Sequence, residues 1–390
     1  MPAPADPSGP TSRDGRDAWL ALTASQRGAA HQAMGLPNQD AVAVHQVRLG
    51  VVAVAVADGH GHHRHFRSAR GSELAVAVAG PAATELAARL DELGTAGQIK
   101  SEALGTLVPA LAGRWRDAVH DDLAARPFSA EESEHRFPGD DALIAYGSTL
   151  LLAVAAPRWL VLVQIGDGDI VAIKPDGRAF LPVPGDPSLD GRQTTSLCGP
   201  EAERDFRAAV VDTSATALAG VLLATDGYGN AQVADPWAEA VGADLARLIS
   251  DRPPQWLAGQ LPSWAGRCAS ADGSADDTTV ALLLAPQPPG SPEAAAETET
   301  LPRVPAGQVP AGQAPVGPQT PARPASRSRR LAVIGAAAVV IAAVATFLAV
   351  SLGSSSGPGR TTSCPSSSAG STPQHSAVAA SASCQGGPGR

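Results

Sequence analysis

Seven aspartates stand at the ends of apolar runs, several with a glycine beside them. Asp40 closes PNQD (37–40) ahead of AVAVHQV. Asp58 follows VVAVAVA (51–57) and precedes Gly59 and His60. Asp167 and Asp169 follow VLVQIG (161–166), Asp226 closes GVLLAT (220–225) ahead of Gly227, and Asp276 and Asp277 precede TTVALLLA (278–285). One Asp-Gly after a strand reads as a turn, because both residues tolerate tight-turn backbone angles. Repeated at strand end after strand end, the pattern gathers carboxylates that repel one another unless divalent cations neutralise them. Hard oxygen donors of this kind suit Mg²⁺ or Mn²⁺. A metal pair would lower the pKa of a bound water and clamp a phosphoryl group for in-line attack. The histidine run HGHHRH (60–65) lacks the cysteine partner of many zinc sites. His60 borders the Asp58 site and is placed as a general acid for a leaving alkoxide. The other histidines of the run are expected on an exposed loop.

Strands are needed to hold these carboxylates. Runs rich in Val, Leu and Ala predict them at 41–47, 50–57, 148–155, 159–165, 170–174, 220–225 and 278–285. Helix-like tracts lie at 68–92 (with a break expected at Pro81), 98–124 and 235–261. Arg158 to Lys174 reads as a hairpin with GDGD at its turn. Adjacent strand pairs separated by helical blocks point to an α+β sandwich rather than an alternating parallel sheet.

The rest of the 390-residue chain is built differently. Residues 286–390 carry seven arginines and three glutamates of a total 29 basic and 38 acidic residues, leaving 22 against 35, a net of −13, in 1–285. An acidic folded part excludes a nucleic-acid footprint as the default reading. Four cysteines exclude a disulfide-built scaffold. Residues 1–18 are expected to be disordered and 19–285 to fold. From 286 to 330, eleven of 45 residues are proline and VPAGQ occurs twice in succession, so a disordered linker is expected. Residues 331–352 are 22 in a row without a charge. At about 1.5 Å per residue such a helix is long enough to cross a bilayer core of about 30 Å. Arg323, Arg327, Arg329 and Arg330 precede this segment and only Arg360 lies near its far side. That asymmetry predicts a single-pass transmembrane helix with the folded part cytoplasmic. The tail, 353–390, is then disordered and extracytoplasmic, and its Cys364 and Cys384 face an oxidising compartment.

PNQDA (37–41), ADGHG (57–61), YGSTL (146–150), QIGDGDI (164–170), LLATDGYGN (222–230) and DDTTVALL (276–283) follow one another in the order seen in the PPM/PP2C family, the metal-dependent protein serine/threonine phosphatases. GAAH (28–31) followed by GLPNQD (35–40) resembles the bacterial branch. The resemblance implies a PP2C-like β-sandwich flanked by helices, with two or three Mn²⁺ or Mg²⁺ ions in a cleft at one end. It implies that Asp58 bridges both metals, that the Gly59 carbonyl binds one, that Asp226 and Asp276 (with Asp277 as a substitute) complete the second metal's shell, and that Asp40 binds through water. A metal-bridging water would be the nucleophile and His60 the general acid. Asp141, or Asp140 beside it, is the candidate ligand of a third ion. The family's phosphate-contacting arginine is missing, and His31 and Arg27 are the nearest candidates for its role. The implied function is hydrolysis of phosphoserine and phosphothreonine in phosphoproteins at the inner face of the membrane, near a membrane-bound kinase or its substrates. The alternative is an inactive phosphatase-like module that docks phosphoproteins there.

Overall fold

The computed structural model describes residues 18–186, 194–234 and 236–287. The expected linker, transmembrane segment and tail lie outside the described residues, with Cys364 and Cys384. Among the described residues no helix is long and apolar enough to cross a membrane.

Ten strands form two antiparallel five-stranded sheets. One runs in the order β1 (Leu20–Gln26), β10 (Thr278–Leu284), β9 (Gly220–Ala224), β6 (Asp169–Ile173), β7 (Ala179–Phe180). The other runs β2 (Ala41–Arg48), β3 (Val51–Ala57), β4 (Leu150–Ala155), β5 (Trp159–Ile165), β8 (Arg207–Asp212). The strand sequences explain the layering. In β3, Val52, Val54 and Val56 face the other sheet, packing with Ile170, Leu223 and Leu283. Their neighbours Ala53, Ala55 and Ala57 face outward, yet are equally buried under helices. A strand covered on both faces needs no polar alternation, which is why β3, β4 and β5 read as unbroken apolar runs.

Helices α1 (Ala29–Met34), α2 (Ser68–Arg89), α3 (Ala96–Glu102), α4 (Val108–Ala125), α5 (Ala130–Glu134), α6 (Ala202–Asp205), α7 (Asp226–Gly229), α8 (Trp237–Asp251) and α9 (Pro254–Cys268) surround the sandwich. α2 and α4 cover the β3 sheet through Ala75, Ala79, Ala83, Leu111 and Trp115. α8 and α9 cover the other through Leu245, Leu257 and Leu261.

Three expectations are corrected. α2 runs unbroken through Pro81, whose ring sits on the solvent side while Ala79, Ala82 and Ala83 are buried; that burial offsets the missing hydrogen bond. The tract 235–261 is two helices, because Arg252 before Pro253 is forced extended and Pro254 opens α9. The hairpin at 158–174 does not exist. β5 pairs with β4 and β8, whereas β6 pairs with β9 and β7, so GDGD carries the chain from one sheet to the other. The α+β sandwich itself is present. The strand register gathers the aspartates at one end of it, since Ala41 opposes Ala57, Val56 opposes Leu151, and Ala224 opposes both Asp169 and Val280.

Candidate metal centre

Asp58 leaves the buried strand β3 with its backbone fixed on both sides. Its N–H donates to Thr149 Oγ1 (3.0 Å) and its carbonyl accepts from Thr149 N (2.8 Å). Gly59 follows under tight constraint, because a Cβ there would lie 2.6 Å from the Gln39 carbonyl and 2.7 Å from that of Ser68. Across the end of the sandwich, Asp58 and Asp226 come within hydrogen-bonding reach of each other. Burial pushes the Asp58 carboxyl well above the usual range, and the charges of Asp40, Asp226 and Asp276 push it further. Asp226, the first residue of α7, is raised by burial and by Asp167 and Asp276. Its Oδ2 accepts from Asn230 Nδ2 (3.1 Å).

Asp40 is buried, and burial raises its carboxyl well above the normal value. Its Oδ2 accepts from Thr225 Oγ1 (2.8 Å), a bond from one sheet to the other. Its Oδ1 is buried with no partner at all among the described residues.

The two adjacent aspartates before β10 divide their work. Asp277, 3% exposed, accepts from Gly28 N (2.7 Å) and Gln39 N (2.6 Å), and His31 Nδ1 lies 2.8 Å from its Oδ2. It knits three segments together. Asp276 is exposed, and its charge acts on Asp58 and Asp226.

The structure thus brings together Asp40, Asp58, Gly59, Asp226 and Asp276. Asp169 joins them although sequence reasoning placed it in a hairpin turn. Burial, with Asp226 and Asp167 nearby, raises its carboxyl to about 6. The signal was present in the second carboxylate of GDGD, but it was legible only once β5 and β6 were known to lie in different sheets. Thr149 and Thr225 lie inside YGSTL and LLATDGYGN, but their part in orienting Asp58 and Asp40 shows only in the folded chain.

His60 Nε2 lies 2.7 Å from Ser196 Oγ, and its ring meets that of His65 edge-on at 4.9 Å. Burial, with His65 nearby, pulls His60 down to about 4, so its ring is neutral at pH 7. His31 is engaged with Asp277, and Arg27 Nη1 donates to the Leu36 carbonyl (3.1 Å). Asp141 caps the 3₁₀ helix Ala142–Tyr146 by accepting from Leu143 N (2.9 Å), while Asp140 holds Arg64 at 2.7 Å.

The donor set fits hard divalent cations. It consists of carboxylate oxygens, several raised by burial and then by one another's charge and one without a partner, beside a glycine whose backbone is closely approached. Among the described residues, no three or more His, Cys, Asp or Glu side chains close around one point as a formed metal site would.

The family described as "Protein phosphatase 2C" matches residues 27–262. No curated protein matches the chain. Solved structures similar to it include serine/threonine phosphatase Stp1 from Staphylococcus aureus, with 14% identity, a TM-score of 0.45, and coverage of 68% of this chain and 94% of that one. They also include the Mycobacterium tuberculosis serine/threonine phosphatase PstP/Ppp, with 20% identity, a TM-score of 0.40, and coverage of 69% and 99%. A third is a PstP catalytic domain in complex with two manganese ions, with 18% identity, a TM-score of 0.38, and coverage of 69% and 99%. The family match spans more than half of the chain and includes Asp40, Asp58 and Asp226, so this protein belongs to the protein phosphatase 2C family and is a protein phosphatase.

Proposed function

We propose that this chain hydrolyses phosphoserine and phosphothreonine in proteins with two Mn²⁺ or Mg²⁺ ions held by Asp58, Gly59, Asp226 and Asp276, and by Asp40 through water. The observation that carries the reading is the convergence of Asp40, Asp58 and Asp226, all raised by burial and by neighbouring carboxylate charge, at one end of the sandwich. When bound, such cations neutralise the phosphoryl oxygens and make a water nucleophilic at neutral pH. The chain's own residues do the rest. Thr149 and Thr225 fix the approach of Asp58 and Asp40. Asp277 ties Gly28 and Gln39 to the start of β10, and its N–H donates to Asp276 Oδ1 (2.8 Å). As the bond from phosphorus to the seryl oxygen breaks, that oxygen needs a proton, which His60, two residues after Asp58, would give. Its ring is held down at about 4, and an arriving phosphate dianion beside it favours the protonated form. Asp141 remains the proposed ligand of a third ion, and His31 and Arg27 the proposed phosphate contacts.

We place the enzyme at the inner face of the membrane, anchored by residues 331–352. The support is the uncharged run and the arginines ahead of it. A tether of 45 residues would raise its effective concentration near a membrane-bound kinase or its phosphoprotein substrates.

The decisive experiment is p-nitrophenyl phosphate hydrolysis with Mn²⁺ and with EDTA, alongside Asp58→Ala and Asp226→Ala. Activity that requires metal and falls by more than about 100-fold in both variants supports the reading. Phosphopeptide binding without turnover would instead establish a docking module. Deleting residues 331–390 is expected to move the protein from the membrane fraction to the supernatant.

A further inference from the structure

We propose that the cleft between α8 and α9 binds a small aromatic monoanion, and that its occupancy is felt at the carboxylate centre through α7. The regulatory half of this proposal rests on the phosphatase reading; the binding half does not.

The cleft has a volume of about 430 Å³. That size suits a small organic molecule. It lies outside the carboxylate cluster. Its apolar wall comes from Tyr228, Leu248 and Trp264, and Arg247, Arg267 and Cys268 stand around it. Tyr228 is half-buried, yet its hydroxyl has no hydrogen-bond partner among the described residues. Arg247 donates to Asp244 (3.2 Å) and Arg267 to Ser263 Oγ (3.2 Å). These single contacts leave most of each guanidinium's N–H donors open. A flat apolar body against Trp264 would carry its anionic group into a cleft whose lining also includes Arg247, Arg267 and Tyr228. Asp244 and Asp272 share the lining and disfavour a polyanion such as a nucleotide, so a carboxylate is the fitting charge.

The route to the centre is short. Tyr228 belongs to α7, whose first residue is Asp226. Gln232 Nε2 ties the cleft floor to the Tyr228 carbonyl (3.0 Å). On its other face α7 has no slack, since a Cβ at Gly229 would lie 2.7 Å from Asp169 Oδ2. A ligand that displaces Tyr228 therefore displaces Asp226, and by linkage cations at Asp226 alter the ligand's affinity.

The test uses the full chain with 2-naphthoate as probe and reads the alkylation rate of Cys268 by iodoacetamide, resolved from Cys198 by mass spectrometry. Burial raises the Cys268 thiol, so the reaction is run at alkaline pH. Saturable slowing of about fivefold or more at Cys268 alone is expected. Neutral 2-naphthamide should need about tenfold more for the same protection. Leu248→Arg should abolish the protection, and Arg267→Gln, on the exposed rim, should weaken naphthoate towards the amide. Mn²⁺ should shift the half-protecting concentration by about threefold or more. Equal slowing at Cys198, no slowing at all, or protection surviving in Leu248→Arg overturns the site, and a metal-independent half-point overturns the coupling. Protection is first measured without metal, so the cleft is tested even in a protein that fails the phosphatase assay.

Discussion

Neighbouring aspartates of identical chemistry have opposite duties at the start of β10, and burial decides which is which. Asp277 accepts two backbone N–H groups and faces His31 in a dry site, so its loss would leave buried donors unsatisfied. Asp277→Asn is expected to cost about 2–4 kcal/mol, read from urea unfolding. Asp276→Asn, at an exposed position, should barely move the unfolding midpoint but should weaken Mn²⁺ binding measured by calorimetry. The reverse pattern would exchange their roles. His60 offers a second contrast. If it returns the proton to the leaving oxygen, His60→Ala should cost phosphoserine peptide turnover about 100-fold or more. p-Nitrophenyl phosphate, whose phenolate departs without a proton, should lose less than about tenfold. Equal losses on both substrates would leave His60 only a structural role through Ser196.

Glycines make the elements close enough for these side chains to meet. A Cβ on Gly227 would lie 2.1 Å from the Asp277 carbonyl, so α7 can sit against the start of β10 only without one. Gly227→Ala should therefore destabilise by about 1–3 kcal/mol and also reduce Mn²⁺ affinity, because the displaced turn begins at Asp226. A variant as stable as the parent would show that α7 has room to yield. The same elements show what was readable in advance. β3, β4, β5, β9 and β10 announced themselves because burial on both faces makes them continuous apolar runs. β1 (LALTASQ) and β8 (RAAVVD) did not, since each lies at a sheet edge, is only partly buried, and has its apolar stretch interrupted or bounded by polar residues. The aspartates at strand ends were legible as a group. Asp169 was misplaced because a short turn between two strands looks alike whether the strands pair or part, and only tertiary packing of β6 onto β9 separates the two cases. The roles of Asp276 and Asp277 were equally invisible, since burial is not written in a DD pair.

At the scale of the whole molecule, the carboxylate end sets how stability responds to pH and metal. Asp40, Asp58, Asp226 and Asp169 all have folded pKa values above the unfolded value of about 3.9. Without metal the folded state then holds more protons than the unfolded one. The stability these groups contribute is complete below about pH 4 and is lost as pH rises through their folded values. For Asp169, raised to about 6, that loss amounts to about 3 kcal/mol across roughly pH 4 to 6. Asp212 and Glu132, held down to about 2 by Arg158 and Arg67, act oppositely, since their contribution exists above about pH 4 and is lost only as pH falls towards 2. The metal-free protein should thus be most stable in mildly acid solution and weaken towards pH 8. Divalent cations replace the protons, so their effect must grow with pH. At 100-fold excess over Kd, Mn²⁺ should add about 2.7 kcal/mol, a rise in Tm of roughly 5–10 °C at pH 8, and far less at pH 5. Thermal melts at both values, with Mn²⁺ and with EDTA, check this. A metal-induced rise as large at pH 5 as at pH 8 would mean that the cations bind somewhere other than among these carboxylates.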